Sequence, residues 1–280
     1  MYILIASLTH AILTALSLAV VGNAATGAEP SPVDASAIIS RSIAANETDW
    51  MADPLYDRCE REDDGDAVQT HDITMVKGRP YERLVAVDDR PISTSQARDE
   101  REKWQREIAQ HDAEDANATN SYRRRHARFK ALFRQFPNAF TFELEGRSQV
   151  AGRTAYHVIA TPRPGYTPPT RDARALTGMT VDFWVDVETY HWIKVAARIT
   201  KPVSVVGVLV RLEPGTTVEL EKAPMGDGNV WLITGLKVQA ISRVMMLFGH
   251  HTRDDLRYFN FRRSSSRTES ACQRQRLSED

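Results

Sequence analysis

Cysteine is scarce: Cys59 and Cys272 are the only two in 280 residues. Two thiols cannot carry a disulfide framework or a Cys-rich zinc site, although they can pair with each other if the fold brings them together. A basic excess is also missing, because 36 Lys and Arg stand against 37 Asp and Glu for a net charge of -1. Proteins that grip nucleic acid draw affinity from counterions released by Lys and Arg, so no nucleic-acid partner is expected. The sequence has no Gly-rich phosphate loop, HExxH, CxxC pair, GxSxG elbow or zinc-finger spacing. It therefore carries none of the strong motifs of phosphate, metal, redox or acyl-transfer chemistry. No cofactor, no metal and no catalytic residue is expected. Hydrophobic residues make up 42% and charged residues 26% of the chain, which excludes wholesale disorder and a polytopic membrane protein.

One long charge-free run is present. Tyr2 to Val21 is followed by small residues through Ala28, the pattern of a signal peptide over residues 1–28 cleaved after Ala24 or Ala28. No Lys or Arg precedes the run, and a signal anchor at the inner membrane is the alternative reading. The remainder is expected to be exported, in the periplasm.

Beyond a Pro-containing linker, Asp34 or Ser36 can cap a helix bearing Ile38, Ile39 and Ile43 at helical spacing up to Trp50. Period-two segments follow over residues 55–61, 68–77 and 81–88, broken by Asp63-Asp64-Gly65-Asp66 and by Lys77-Gly78-Arg79-Pro80. Short breaks of this kind imply antiparallel neighbours. A charged helix is expected over residues 95–116, with Trp104 and Ile108 as its only large apolar residues, and a second over 122–136. The second places Phe129, Leu132, Phe133 and Phe136 on one side, and Arg123, Arg124 and Arg125 lie on its basic side. Such a pair is either a hairpin joined by ion pairs or a basic surface for anionic headgroups.

From residue 139 onward the pattern is strand and turn: residues 140–145, 154–161, 180–187, 191–200, 204–212, 216–222, 230–234, 236–247 and 252–261. Ten to twelve strands with almost no helical crossovers exclude doubly wound folds and leave a meandering antiparallel sheet. One domain over residues 29–263, with a helical insertion at 95–136, and a disordered tail at 264–280 complete the expected organisation.

Candidate sites are few. His250 and His251 with Asp254 and Asp255 are the best metal-like group, but adjacent strand residues point to opposite faces, and a solvated loop is the plainer reading. His71 beside Asp72, and His126, are lone titratable groups. Phe183 and Trp184 must face opposite sides of one strand, with Trp192 and Trp231 on later strands, an arrangement that suits a curved sheet covered on both faces.

Several segments resemble a known family. Tyr81-Glu82-Arg83-Leu84, Asp89-Arg90-Pro91-Ile92-Ser93, Gly152-Arg153-Thr154-Ala155-Tyr156, Thr161 to Tyr166, Phe183 to Tyr190, Glu221-Lys222-Ala223-Pro224 and Val230-Trp231-Leu232 are similar to strand ends and turns of exported bacterial lipoprotein-sorting-like proteins. The resemblance spans about residues 34–262 and speaks for fold more than activity. It implies an α+β fold, a strongly curved antiparallel sheet forming an incomplete barrel with helices over its hollow. It also implies a non-enzymatic carrier whose hollow accepts acyl chains of a lipid or lipoprotein. On that reading Trp184, Trp192, Trp231, Phe129, Leu132, Phe133 and Phe136 are the candidates for cavity and lid, with Arg123, Arg124 and Arg125 for headgroups. The rival is an envelope regulatory or interaction module of the same shape without lipid cargo, and an enzyme of unknown type stands behind both.

Overall fold

The structure, a computed structural model, describes residues 34–113, 127–128, 130–206, 210–244, 248–264 and 272. These all fall in the unit Val33–Asp280. The run at residues 1–28, Phe129, and Arg123, Arg124 and Arg125 lie outside them.

Asp34 is the cap that starts the first helix, its carboxylate accepting from the Ser36 amide at 3.0 Å. Helix α1 spans Ala35–Ala52 and ends where Pro54 forces a 3-10 turn at Asp53–Leu55. Strands β1 (Tyr56–Asp63), β2 (Val68–Val76) and β3 (Arg79–Val87) follow, with a short β4 at Arg90–Pro91. The β1–β2 turn is closed by Asp64, whose Oδ1 accepts from the Asp66 and Ala67 amides, both at 2.9 Å. Helix α2 covers Thr94–Ala113, and a short α3 covers Phe136–Ala139. The remaining strands are β5 (Phe140–Val150), β6 (Arg153–Pro162), β7 (Met179–Asp186), β8 (Trp192–Ile199), β9 (Val203–Val206), β10 (Val210–Leu212), β11 (Thr217–Met225), β12 (Val230–Val244) and β13 (Phe248–Arg263).

All thirteen strands belong to one curved, open antiparallel sheet of order β4-β3-β2-β1-β13-β12-β11-β8-β7-β6-β5, with β10 and β9 branching from β12. The α+β class and the curved sheet are as the sequence implied. Two strand boundaries are corrected. The expected strands at 230–234 and 236–247 are one continuous β12, because Gly235 stays in the ladder opposite Arg257 and Glu221. Its missing side chain leaves room there for Arg257, whose Nη1 would lie 2.9 Å from an added Cβ. The expected strand at 204–212 is instead a hairpin of β9 and β10.

The sheet carries different layers on its two faces. On one, Ile38, Ile39 and Ile43 of α1 pack with Phe136, Phe140, Val158, Phe183 and Trp192 in the main apolar cluster. On the other, α2 lies against β3, anchored by the buried Trp104, whose ring faces the Arg83 guanidinium at 5.7 Å. Arg83 in turn forms an ion pair with buried Asp72. Cys59 of β1 is bonded to Cys272, so the two cysteines do pair, across 213 residues.

Candidate functional site

The stripe of α1 that faces the sheet is half apolar and half polar. Ser42, Asn46 and Asp49 recur at helical spacing beside the isoleucines, and all three are buried. Burying such groups costs free energy unless each finds a partner, and here each does. Trp192 Nε1 donates to Ser42 Oγ at 2.9 Å, and Ser42 Oγ donates to the Ile39 carbonyl at 2.8 Å. Asn46 Nδ2 donates to the Ser42 carbonyl at 2.8 Å. Lys222 of β11 donates through Nζ to Asn46 Oδ1 and to Asp49 Oδ2, both at 2.5 Å. The other Asp49 oxygen accepts from the Trp231 amide at 2.8 Å and lies 3.5 Å from His191 Nε2. His191 stacks on the Trp231 ring, with centroids 5.3 Å apart and planes 4° from parallel.

Lys222 is 6% exposed and Asp49 2%. Burial pulls the Lys222 ammonium below its ordinary range, against the opposing pull of Asp49. Burial also lowers the His191 imidazole, with Asp49 opposing and Lys222 adding to the shift. This network fixes where α1 sits, since sliding the helix by one turn would strand a buried ammonium. Its chemistry is that of a lock: Ser42, Asn46, Asp49, Trp192 and Lys222 are hydrogen-bonded within the seam, and among the described residues His191 Nδ1 and Trp231 Nε1 are left without a partner.

Beside the seam, the space between α1 and the sheet is filled by aromatic rings. Phe133 stacks on Trp50 at 4.9 Å and meets Trp192 edge-on at 5.1 Å, while Phe136 contacts Phe140 and Phe183 at 5.4 and 5.7 Å. Across the sheet, directly opposed residues share a face, and two apolar rows run out from under this core. One passes through Val158, Phe183, Val195, Leu220, Leu236 and Leu256. The other passes through Ala160, Val181, Ala197, Val218 and Val238. Both rows are fully buried at β6 and β7 and only half-buried from β8 to β12 and β13. They end on carboxylates, at Glu62 opposite Leu256 and at Asp254 opposite Val238.

The structure divides the residues singled out from sequence between two clusters. Trp192 and Phe136 are buried, and Leu132 and Phe133 half-buried, in the α1-face cluster. Trp231 and Trp184 pack in a second cluster with Ala155 and Ile193, Trp231 also lying against the His191 ring. There the Trp184 ring stacks on His157 at 4.7 Å, and Arg153 lies over Trp231 at 5.2 Å. His251 lies at the rim of an open depression of about 770 Å³ that also takes in Asp64, Asp66 and Asp254. Asp255 is instead engaged with Lys237 and Arg257, so among the described residues His251, Asp254 and Asp255 do not form one ligand set. Sequence reading missed Ser42, Asn46, Asp49, His191 and Lys222. The signal that would have found the first three is a polar stripe at positions i, i+4 and i+7, adjacent to the isoleucine stripe of the same helix.

No family model matches the chain, and no curated protein matches its sequence. Among solved structures, a lipoprotein-sorting protein domain from Vibrio parahaemolyticus, described as an outer-membrane one, matches at 13% identity and a TM-score of 0.26. That match covers 48% of this chain and 46% of the other, so the chain spans about half of that structure's length. A LolA superfamily protein, NE2245 from Nitrosomonas europaea, matches at 11% identity and a TM-score of 0.32, over 84% of this chain and 95% of the other. MucB of the Pseudomonas aeruginosa MucA/MucB complex matches at 13% identity and a TM-score of 0.26, over 83% and 100%. The chain is thus similar to lipoprotein-sorting-like and LolA superfamily structures.

Proposed function

We propose that the protein is an exported, non-enzymatic carrier-like protein that binds acyl chains of a lipid or lipoprotein on the α1 face of its sheet. The observation that carries this is the change in burial along the two apolar rows, sealed beneath α1 at β6 and β7 and half-open at Val195, Leu220, Leu236 and Leu256. Such a strip, walled by the locked helix on one side, can cover an acyl chain with no catalytic group, at about 0.8 kcal/mol for each methylene withdrawn from water. Among the described residues no helix is long and apolar enough to cross a membrane.

A charge in the middle of the strip tests this reading. Leu236→Asp should weaken binding of a fluorescent fatty acid at least tenfold while the urea midpoint shows that the sheet persists. Unchanged affinity in a folded variant would remove the strip from the model.

A second reading, an envelope interaction module whose strip receives an apolar peptide, is favoured by the aromatic filling of the space under α1. Native mass spectrometry of protein taken from membranes separates the two: co-purifying lipid supports the carrier, and its consistent absence supports the module.

A further inference from the structure

On the α1 face, where the first apolar row reaches β1, the side chains turn acidic. Glu60 and Glu62 stand two residues apart on β1 and so project to the same face, and His71 of β2 is the direct register partner of Glu60. One ligand atom from each of the three lies within 4.8 Å of the others. Two features of this triad are left unexplained by the fold. Among the described residues, His71 Nδ1 is buried without a hydrogen-bond partner, whereas buried ring nitrogens ordinarily have one. The two carboxylates also lie on one side of β1 with an oxygen of each within 4.8 Å of the other. Arg58, two residues from Glu60 on the same strand, is engaged elsewhere, with Asp53 at 3.4 Å and with the Tyr258 ring. Tyr258 of β13 is the register partner of Glu60 on its other side.

We infer that Glu60, Glu62 and His71 form a binding site for one divalent transition-metal ion of the zinc class. The donor set fits that ion: two carboxylate oxygens and one imidazole nitrogen suit a borderline dication and leave a fourth position open. The ion would neutralise the paired carboxylates and engage the imidazole, with Tyr258 of β13 opposite Glu60 as an outer-shell neighbour. Its effect on the fold would be to pin β1 to β2 close to the Cys59–Cys272 bond. The inference is independent of the acyl-binding reading, and either can fail without the other.

Isothermal titration of the chelator-stripped full chain with zinc chloride tests it. The expected result is one ion per chain, with affinity at least tenfold weaker in Glu62→Gln and in His71→Ala. The urea midpoint of metal-free Glu62→Gln should match the wild type, which separates lost coordination from lost folding. The double variant His250→Ala/His251→Ala should bind as the wild type does. No uptake by the wild type, equal affinity in Glu62→Gln, or loss confined to the His250/His251 variant would overturn the site.

Discussion

Asp49 and Lys222 are 173 residues apart in sequence and nearly water-free in the fold. A buried ion pair of this kind adds little net stability over an apolar pair of similar volume, but removing one partner leaves the other charged and unsolvated. Asp49→Asn should therefore cost about 3–5 kcal/mol in urea unfolding. Asp49→Leu with Lys222→Met should recover most of that loss, and a double variant as unstable as the single would show that packing, rather than charge, holds α1. At this scale local signals were legible. The Asp34 cap, the Asp64-Gly65 turn and the isoleucine stripe of α1 each depend on a few neighbouring residues. Lys222 was not legible, because a lysine between period-two residues reads as a solvated strand position. Only the partner helix, brought over from the other end of the domain, makes it an interior residue.

At the scale of elements, the alternation of side chains gave strand existence well and strand ends poorly. Gly235 looked like a break between two strands because glycine weakens a ladder, yet it pairs with Glu221 and Arg257 inside β12, with the Arg257 side chain packed close over it. Gly178 shows the same economy more severely. It ends the 3-10 segment Asp172–Gly178, and its carbonyl accepts from the Thr200 and Lys201 amides at 2.8 and 3.1 Å. A Cβ there would meet Val203 Cγ2 at 2.4 Å and the Lys201 carbonyl oxygen at 2.8 Å. The backbone contact cannot swing aside as a side chain would, so Gly178→Ala should destabilise the protein by about 1–3 kcal/mol, as overpacking does. Thermal unfolding measures this, and a variant melting with the wild type would mean that β9 shifts freely against the 3-10 segment. Helix α2, by contrast, was read correctly as a mostly solvated helix held by few apolar residues, and Trp104 is the one that anchors it.

For the whole molecule, short turns between period-two segments were enough to exclude parallel folds, but they do not fix the order of strands. That order depends on β13, which pairs with β12 on one side and with β1 on the other and so joins the first four strands to the rest. The candidate strip is a product of that insertion: Leu256 on β13 extends a row begun on β6, and Glu62 on β1 ends it. No local pattern encodes a contact made across nearly the full length of the chain. The same seam is where Cys59 meets Cys272, so the bond closes a loop that holds almost the entire sheet. A cross-link over so long a loop acts chiefly on the unfolded chain, whose freedom it restricts, and its removal typically costs about 2–5 kcal/mol. Cys272→Ser should lower the urea midpoint accordingly under oxidising conditions, and a reductant should then have no further effect on that variant. If the wild type in reductant and the Cys272→Ser variant both unfold at the midpoint of the oxidised wild type, then the β1–β13 pairing alone joins the two ends of the sheet.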